Sequence, residues 1–329
     1  MSWPVLEVIA PGVQTLVQDR GRKGYFAIGL PPSGPMDVLS HHAANALVGN
    51  DPEAATLESV FVGPTVCVRR DGVVAVTGAD VDLRIDDVPM PTWTTLPVRA
   101  GQVVAIGPAL SGARSYLAVR GGIGTPRVMG SRSTYLQSGI GGVDGRELRV
   151  GDVIKNANDF GPYPRLGYSV DEALRPSFAS HREIRMVMGL CRYRVTDVSV
   201  EKMLSSDFTI GIEANRVGYR LSGPPLEFVD RTAPFGAGDD PSNVVDLGYP
   251  AGSIQVPGGQ ELICLLRDGV TGGGYATVGT VIGVDIDVLG QMQAPNTVRL
   301  VDVDVDHAVS ARRARDAAIA ELYVSARHT

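Results

Sequence analysis

The sequence predicts a mainly β protein of two domains carrying a few short helices. Forty glycines and 22 prolines punctuate a chain that is still 44% hydrophobic, which suits many short strands joined by turns. Short apolar runs rich in branched residues recur between those turns, with the length of strands. The chain has 329 residues, more than a single core readily serves.

The first strand is expected at Val5–Ile9, ended by Pro11 and Gly12. The loop-like stretch DRGRKGYFAIGLPPSGP follows, and its Arg20, Arg22 and Lys23 suit either an anion or a solvated basic turn. Asp37 is placed to cap a helix over Val38–Val48, which Gly49-Asn50 stops. His41 and His42 fall inside this helix, and the three other histidines are scattered without ligand spacing, so no metal set is expected.

Strands are then predicted at Val66–Val68, Val73–Thr77, Val81–Ile85, Val103–Ile106 and Tyr116–Val119. Asp86-Asp87, Arg99–Gly101 and Ser111-Gly112 separate several of them, in a meander or Greek-key pattern unlike the strand–helix alternation of a dinucleotide fold. The segment RGGIGTPRVMGSRST lacks the terminal Lys-Ser/Thr of a phosphate loop. Its Arg127, Arg132, Ser133 and Thr134 offer donors to an anion or polar ligand, and a surface loop explains them nearly as well.

Periodicity disappears between Asn156 and Ser180, where Pro, Gly and Asn gather, and the domain boundary is expected there. The division is an N-terminal domain over 1–165, a C-terminal domain over 180–305, and a helix with a tail over 306–329. Strands resume at Glu183–Met188 and Tyr193–Thr196, then a short helical turn at Val200–Ser205 and a strand at Phe208–Ile210. A weak internal echo, SYLAVRGGIGTPRVMG against ICLLRDGVTGGGYATVGTVIG, fits two similar barrels or chance repetition of β patterns. The tail begins with the alternating VDVDVD, read as a strand, and passes into a helix over Ala308–Tyr323.

Net charge is -6 without a basic block, which argues against nucleic acid or an anionic membrane surface as partner. Three cysteines, far apart, read as reduced core thiols. The start MSWPVLEV lacks the regions of a signal peptide, and no apolar run is long enough to span a membrane, so a cytoplasmic location is expected.

No complete catalytic motif is present: there is no GxSxG, HExxH, P-loop or CxxC. Two groups nevertheless point to chemistry. Asn215, Arg216, Tyr219 and Arg220 lie close together in EANRVGYRLSG, where an arginine fork suits carboxylate or phosphate, and strand-edge ion pairs suit it equally. Asp268, Thr271 and the glycines Gly272, Gly273 and Gly274 lie between the apolar runs Glu261–Leu266 and Thr277–Val284. Glycines in an open bend would offer backbone N–H groups to an oxyanion, with Thr271 adding a hydroxyl and Tyr275 closing the pocket. A plain β-turn with Asp in a favoured position is the competing account.

Several pieces together, QDRGRKGYFAIGLPPSGPMD, ANALVGN, LAVRGGI, GSRST, EANRVGYRLSG and GSIQVP with the GGGY corner, carry a resemblance. The chain resembles the allophanate hydrolase subunit 2 family, the biotin-dependent carboxyltransferase-like proteins, from Leu6 to about Leu300. The resemblance implies two cyclophilin-like β-barrel domains and a heteromeric, ATP-dependent enzyme. In the 5-oxoprolinase members it implies conversion of 5-oxo-L-proline to L-glutamate beside two partners: a KipI-like companion, the B subunit, and a lactam-opening A subunit. ATP is then expected at the level of the complex, and biotin is not expected to be carried by this chain.

Two further activities follow from the same resemblance: a urea carboxylase-type carboxyl transfer to a small amide, and KipA-like regulation through binding a kinase inhibitor. Carboxyl-transferring members resemble Asp-Arg-Gln-Thr-Thr-Gly-Gly-Tyr-Pro-Lys at the corner. Asp268, Thr271, Gly273, Gly274 and Tyr275 match it, implying catalytic roles, while Gly269, Val270, Gly272, Ala276 and Thr277 depart from it. The departures remove an amide and an ammonium suited to a carboxyl group, which argues against biotin carboxyl transfer.

Overall fold

The computed structural model describes residues 2–232, 235–236 and 238–327. The chain forms two compact units. Residues through Lys23, Ser33–Phe178 and those from Arg315 onward make the first, while Gly24–Pro32 and Ala179–Ala314 make the second.

The first unit holds β1 (Pro4–Ala10), β2 (Gln14–Gln18), helix α1 (Val38–Leu47), β3 (Thr56–Val60), β4 (Thr65–Val68), β5 (Gly72–Ile85), β6 (Val88–Pro89), β7 (Leu96–Val98), β8 (Val103–Val119) and β9 (Val153–Lys155). They form a nine-stranded sheet ordered β2-β3-β8-β4-β1-β9, with β5 against β6, β7 and β8. The sheet curls without closing on itself, so this unit is a half-barrel where a full barrel was expected. Alternation along β5 buries both of its faces: Val74 and Val76 join a core with Leu6, Leu57 and Val66, whereas Val73 and Ala75 meet Ala43 and Leu47 of α1. Asp37 caps α1 as expected, its carboxylate accepting the Ser40 N–H at 3.0 Å.

Two pairs of expected strands are each one long strand. Val73–Thr77 and Val81–Ile85 belong to β5, and Val103–Ile106 and Tyr116–Val119 belong to β8. Bulges between Gly78 and Leu83 carry β5 across the gap between its two expected strands. Asp86-Asp87 is a true turn, with φ of 50° and 64° at the two residues, and it joins β5 to β6.

The second unit contains β10 (His181–Met188), helix α2 (Asp197–Ser205), β11 (Asp207–Ile210), β12 (Gly218–Ser222), β13 (Asn243–Gly248), β14 (Ser253–Gln255), β15 (Leu262–Leu265), β16 (Gly272–Tyr275), β17 (Thr277–Val281), helix α3 (Gly283–Gly290) and β18 (Thr297–Asp302). Seven strands close a barrel in the order β10-β17-β14-β15-β12-β11-β18, and β13 pairs with β16 in a separate two-stranded ribbon. Ile184, Met186, Phe208, Ile254, Cys264, Val278 and Leu300 are among its buried side chains.

Tyr193–Thr196 is not the strand expected. Arg192–Arg194 is a 3-10 turn, and Thr196 instead caps α2 through its hydroxyl. VDVDVD is likewise divided: β18 ends at Asp302, and Asp304 accepts the His307 N–H at 2.7 Å to start helix α4 (Val305–Ser325). Among the described residues no helix is long and apolar enough to cross a membrane.

Candidate functional site

The candidate site is built on the turn that follows β15. Arg216 and Asp268 face each other there, the guanidinium donating from Nε to Oδ2 at 2.7 Å and from Nη2 to Oδ1 at 3.1 Å. Both side chains are only 4% exposed. The backbone repeats the pairing, since the Asp268 N–H donates to the Arg216 carbonyl at 2.9 Å and Leu266 N–H to Val217 at 2.9 Å. Arg216 thus clamps two segments, with its fork spent on Asp268 rather than presented to a ligand. This corrects the role of anion anchor expected for it.

Its neighbours are divided by strand alternation. Asn215 Oδ1 accepts the N–H groups of Val217 and Gly218, forming a turn before β12. Tyr219 points into the barrel, and its phenol donates to the Met292 carbonyl at 3.2 Å. Arg220 points outward and pairs with Glu213 at 2.7 Å and with Glu261, a pairing that leaves it no role as an internal anion site.

From this clamped turn the chain runs through Thr271 into β16. Gly272, Gly273 and Gly274 are extended strand residues, and none has a left-handed φ. The expected glycine bend is therefore a strand paired to β13, with Leu247 opposite Gly273 and Gly248 opposite Gly272. Close approach favours glycine at 273, because a Cβ there would stand 3.0 Å from the ring of Tyr249, which would have to shift slightly. The Tyr249 phenol donates to the Tyr275 carbonyl at 2.8 Å and accepts the Tyr275 N–H at 2.6 Å. Burial pushes this phenol's pKa up despite hydrogen bonds to the Tyr275 backbone and the Gln255 side chain, so it stays protonated.

Three further features border this strand. Asp246 is exposed, with Oδ1 3.8 Å from where a Gly272 Cβ would lie. Thr271 is half-buried, and its Oγ1 lies 4.0 Å from a Cβ position on Gly29. Gly29 has φ 87° and closes the 3-10 turn Phe26–Ile28, so the early segment Gly24–Pro32 borders the corner. Tyr275 is 42% exposed at the end of β16. In a two-stranded ribbon each strand keeps one edge of backbone donors and acceptors outside the ladder. The arrangement thus offers backbone N–H groups, the Thr271 hydroxyl and the Tyr275 phenol to a small polar ligand, with Asp246 as a nearby proton acceptor.

Arg132 and Ser133 belong to the first unit. The Arg132 N–H donates to Asp19 Oδ2 at 2.6 Å, and the Ser133 hydroxyl donates to Asp19 Oδ1 at 2.8 Å. Burial alone would raise the Asp19 carboxyl, but these donors with Ser131 and Gly21 hold it below its ordinary value. Ser133 is fully buried and the Arg132 guanidinium stands 3.5 Å from Asp159, so both serve to fix the loop.

Asp246, Tyr249, Gln255 and Gly29 carried no signal as site residues in the sequence. Gln255 sits in the GSIQVP piece of the resemblance and Gly29 in QDRGRKGYFAIGLPPSGPMD, the hints available. The others are recruited by strand pairing and by chain return.

The pattern of the carboxyltransferase domain, subdomain A and B, matches residues 28–302. The chain belongs to that family. Among its relatives, the C subunit of 5-oxoprolinase from Escherichia coli is 33% identical over 314 residues, covering 94% of each chain. Urea amidolyase of Saccharomyces cerevisiae is 31% identical over 324 residues, covering 96% of this chain and 18% of that one. The chain thus spans under a fifth of the urea amidolyases it matches. The crystal structure of Kluyveromyces lactis urea carboxylase superposes with a TM-score of 0.91 at 30% identity, over 99% of this chain and 30% of that one.

In this member of the carboxyltransferase family the departures at the corner are built into the packing. A Cβ on Gly269 would stand 3.0 Å from the Val217 carbonyl oxygen, so a long side chain there needs the turn to move. Ala276 and Thr277 are buried where β16 passes into β17.

Proposed function

We propose that this chain is the carboxyltransferase-type subunit of a heteromeric cytoplasmic enzyme that acts on a small amide. A urea-type amide is the substrate the relatives favour. One observation carries the reading: the buried Arg216–Asp268 clamp holds the turn that leads into Thr271 and the glycine strand, in a chain that superposes on a urea carboxylase over nearly its whole length. The amide carbonyl would accept from Thr271 and from the strand's outer N–H groups, which suit a developing oxyanion. Asp246 would take the amide proton as the nitrogen gains its carboxylate. The carboxyl donor's own N–C bond breaks in that step, and its nitrogen recovers a proton.

ATP has no fit at this corner. Arg216, Arg220 and Arg267 are each paired to carboxylates, leaving none of these guanidiniums for a triphosphate. The reading therefore leaves nucleotide cleavage and the carrying of the carboxyl donor to partner chains.

A second reading, activation of 5-oxo-L-proline beside companion and lactam-opening subunits, has its own support in the 94% mutual span with the 5-oxoprolinase C subunit. The missing long side chains at 269 and 277 favour it too, since they remove donors from a carboxyl group. Reconstitution with candidate partners separates the two. Urea-dependent ADP release that needs this chain supports carboxyl transfer; release with 5-oxo-L-proline alone replaces it with the second reading, and release with neither removes both.

A further inference from the structure

A pocket of about 440 Å³ opens in the first unit between β9 and the glycine-rich loop 139–145. That volume lies within the range of small-ligand sites. Pro126, Val128, Ile140, Val143 and Val153 give it apolar walls, and none of its lining residues is aromatic. Val153 is 48% exposed, an apolar strand position left uncovered by the chain.

The walls are preformed. A Cβ on Gly141 would stand 2.0 Å from the Ser133 carbonyl oxygen, and one on Gly145 1.9 Å from the Gly139 carbonyl oxygen. Both glycines have a left-handed φ, so the loop is seated closely against its neighbours. Across the pocket, the Gly124 N–H donates to the Lys155 carbonyl at 2.7 Å. A Cβ on Gly124 would stand 2.3 Å from the Asn156 carbonyl oxygen, which fixes this wall as well.

The donors on these walls are unspent. Lys155 is exposed, and among the described residues no carboxylate pairs with it. Asp144, the carboxylate among the lining residues, stands 3.7 Å from Arg146. Asp152 holds the same guanidinium through two bonds, at 2.8 and 2.9 Å. The Thr125 hydroxyl is buried without a hydrogen-bond partner. Gly141 is buried, and among the described residues its N–H has no acceptor.

An unpaired ammonium, two neutral donors and saturated walls select one ligand chemistry. One cation compensates one negative charge, whereas a phosphate dianion would need a second. Walls without an aromatic face suit a saturated chain rather than a planar ring. We propose that this pocket binds an aliphatic monocarboxylate. Lys155 pairs with the carboxylate, beside the Gly141 N–H and the Thr125 hydroxyl once it turns about χ1. The chain lies against Val128, Val143 and Val153. This site involves none of the residues of the Thr271 corner, so it stands or falls apart from any reading of that corner.

The test titrates the full chain with octanoate by calorimetry, with 1-octanol, octylamine and inorganic phosphate as controls. Expected is one-site saturable heat with octanoate, and each control about tenfold weaker or more. Lys155→Ala and Val153→Trp change exposed positions and should leave the melting temperature unaltered. The first should weaken octanoate about tenfold and leave 1-octanol as it was. The second fills the pocket and should abolish octanoate binding. No saturable heat, phosphate binding as tight as octanoate, unchanged affinity in Lys155→Ala, or full binding in Val153→Trp would each overturn the site.

Discussion

Arg216 and Asp268 meet in a two-pronged ion pair with 4% of either side chain exposed, and the same two residues are joined through their backbones. The pair fixes where Thr271 and β16 begin. Its contribution is asymmetric, because losing one member leaves the other as a buried, uncompensated charge.

Arg216→Ala is therefore expected to cost about 3–5 kcal/mol. The double variant Arg216→Met with Asp268→Leu should recover a large part of that loss. Denaturant unfolding of both variants checks this; an additive double variant would mean that the pair is not the source of the loss.

Thr271→Val keeps shape and removes the hydroxyl. If the corner polarises an amide carbonyl, kcat should fall about a hundredfold with little change in KM or melting temperature. Steady-state kinetics of the reconstituted enzyme distinguish this from a binding role, which would appear in KM instead.

Gly273→Ala places a methyl against the Tyr249 ring and should destabilise the ribbon by about 1–3 kcal/mol. Gly272→Ala meets the Leu247 carbonyl oxygen at 3.4 Å and Asp246 Oδ1 at 3.8 Å, both ordinary contacts, and should be milder. Thermal unfolding of the two variants side by side reads the difference. Equal losses would remove the Tyr249 contact as the reason for glycine at 273.

Burial of His41, first of all, lowers its pKa to about 4 from an ordinary 6.5. The unfolded chain then binds a proton on this residue over a range where the folded chain does not. Stability from this group is complete above about pH 6.5, falls as the pH drops toward about 4, and changes no further below that. The loss amounts to roughly 3 kcal/mol. Denaturant midpoints across this range should lose much of their slope in His41→Gln.

Much of the fold is legible where local signals suffice. Branched runs mark β1, β10 and β15, Asp37 marks the start of α1, and Asp86-Asp87 marks a turn. The long strands β5 and β8 are read as fragments because bulges look like turns until their partner is known. The three glycines read as a bend because glycine alone is a poor strand former. Their extension depends on β13 and on Tyr249, which are distant in sequence from them. The site shows the same split: Asp268 through Tyr275 is contiguous and can be picked out together. Arg216 stands out in the sequence as an arginine fork, and nothing local shows that Asp268 will occupy that fork.

The membership of Gly24–Pro32 in the second unit, and of the residues from Arg315 onward in the first, bears on how the chain can be divided. Each unit takes a piece from the other's stretch of sequence, so a cut near residue 178 truncates both. A fragment beginning at Ala179 would lack the strip beside Thr271. During synthesis that strip leaves the ribosome long before the barrel it completes, and must wait for it. The corner can be finished only after most of the protein exists, which makes it a late product of folding.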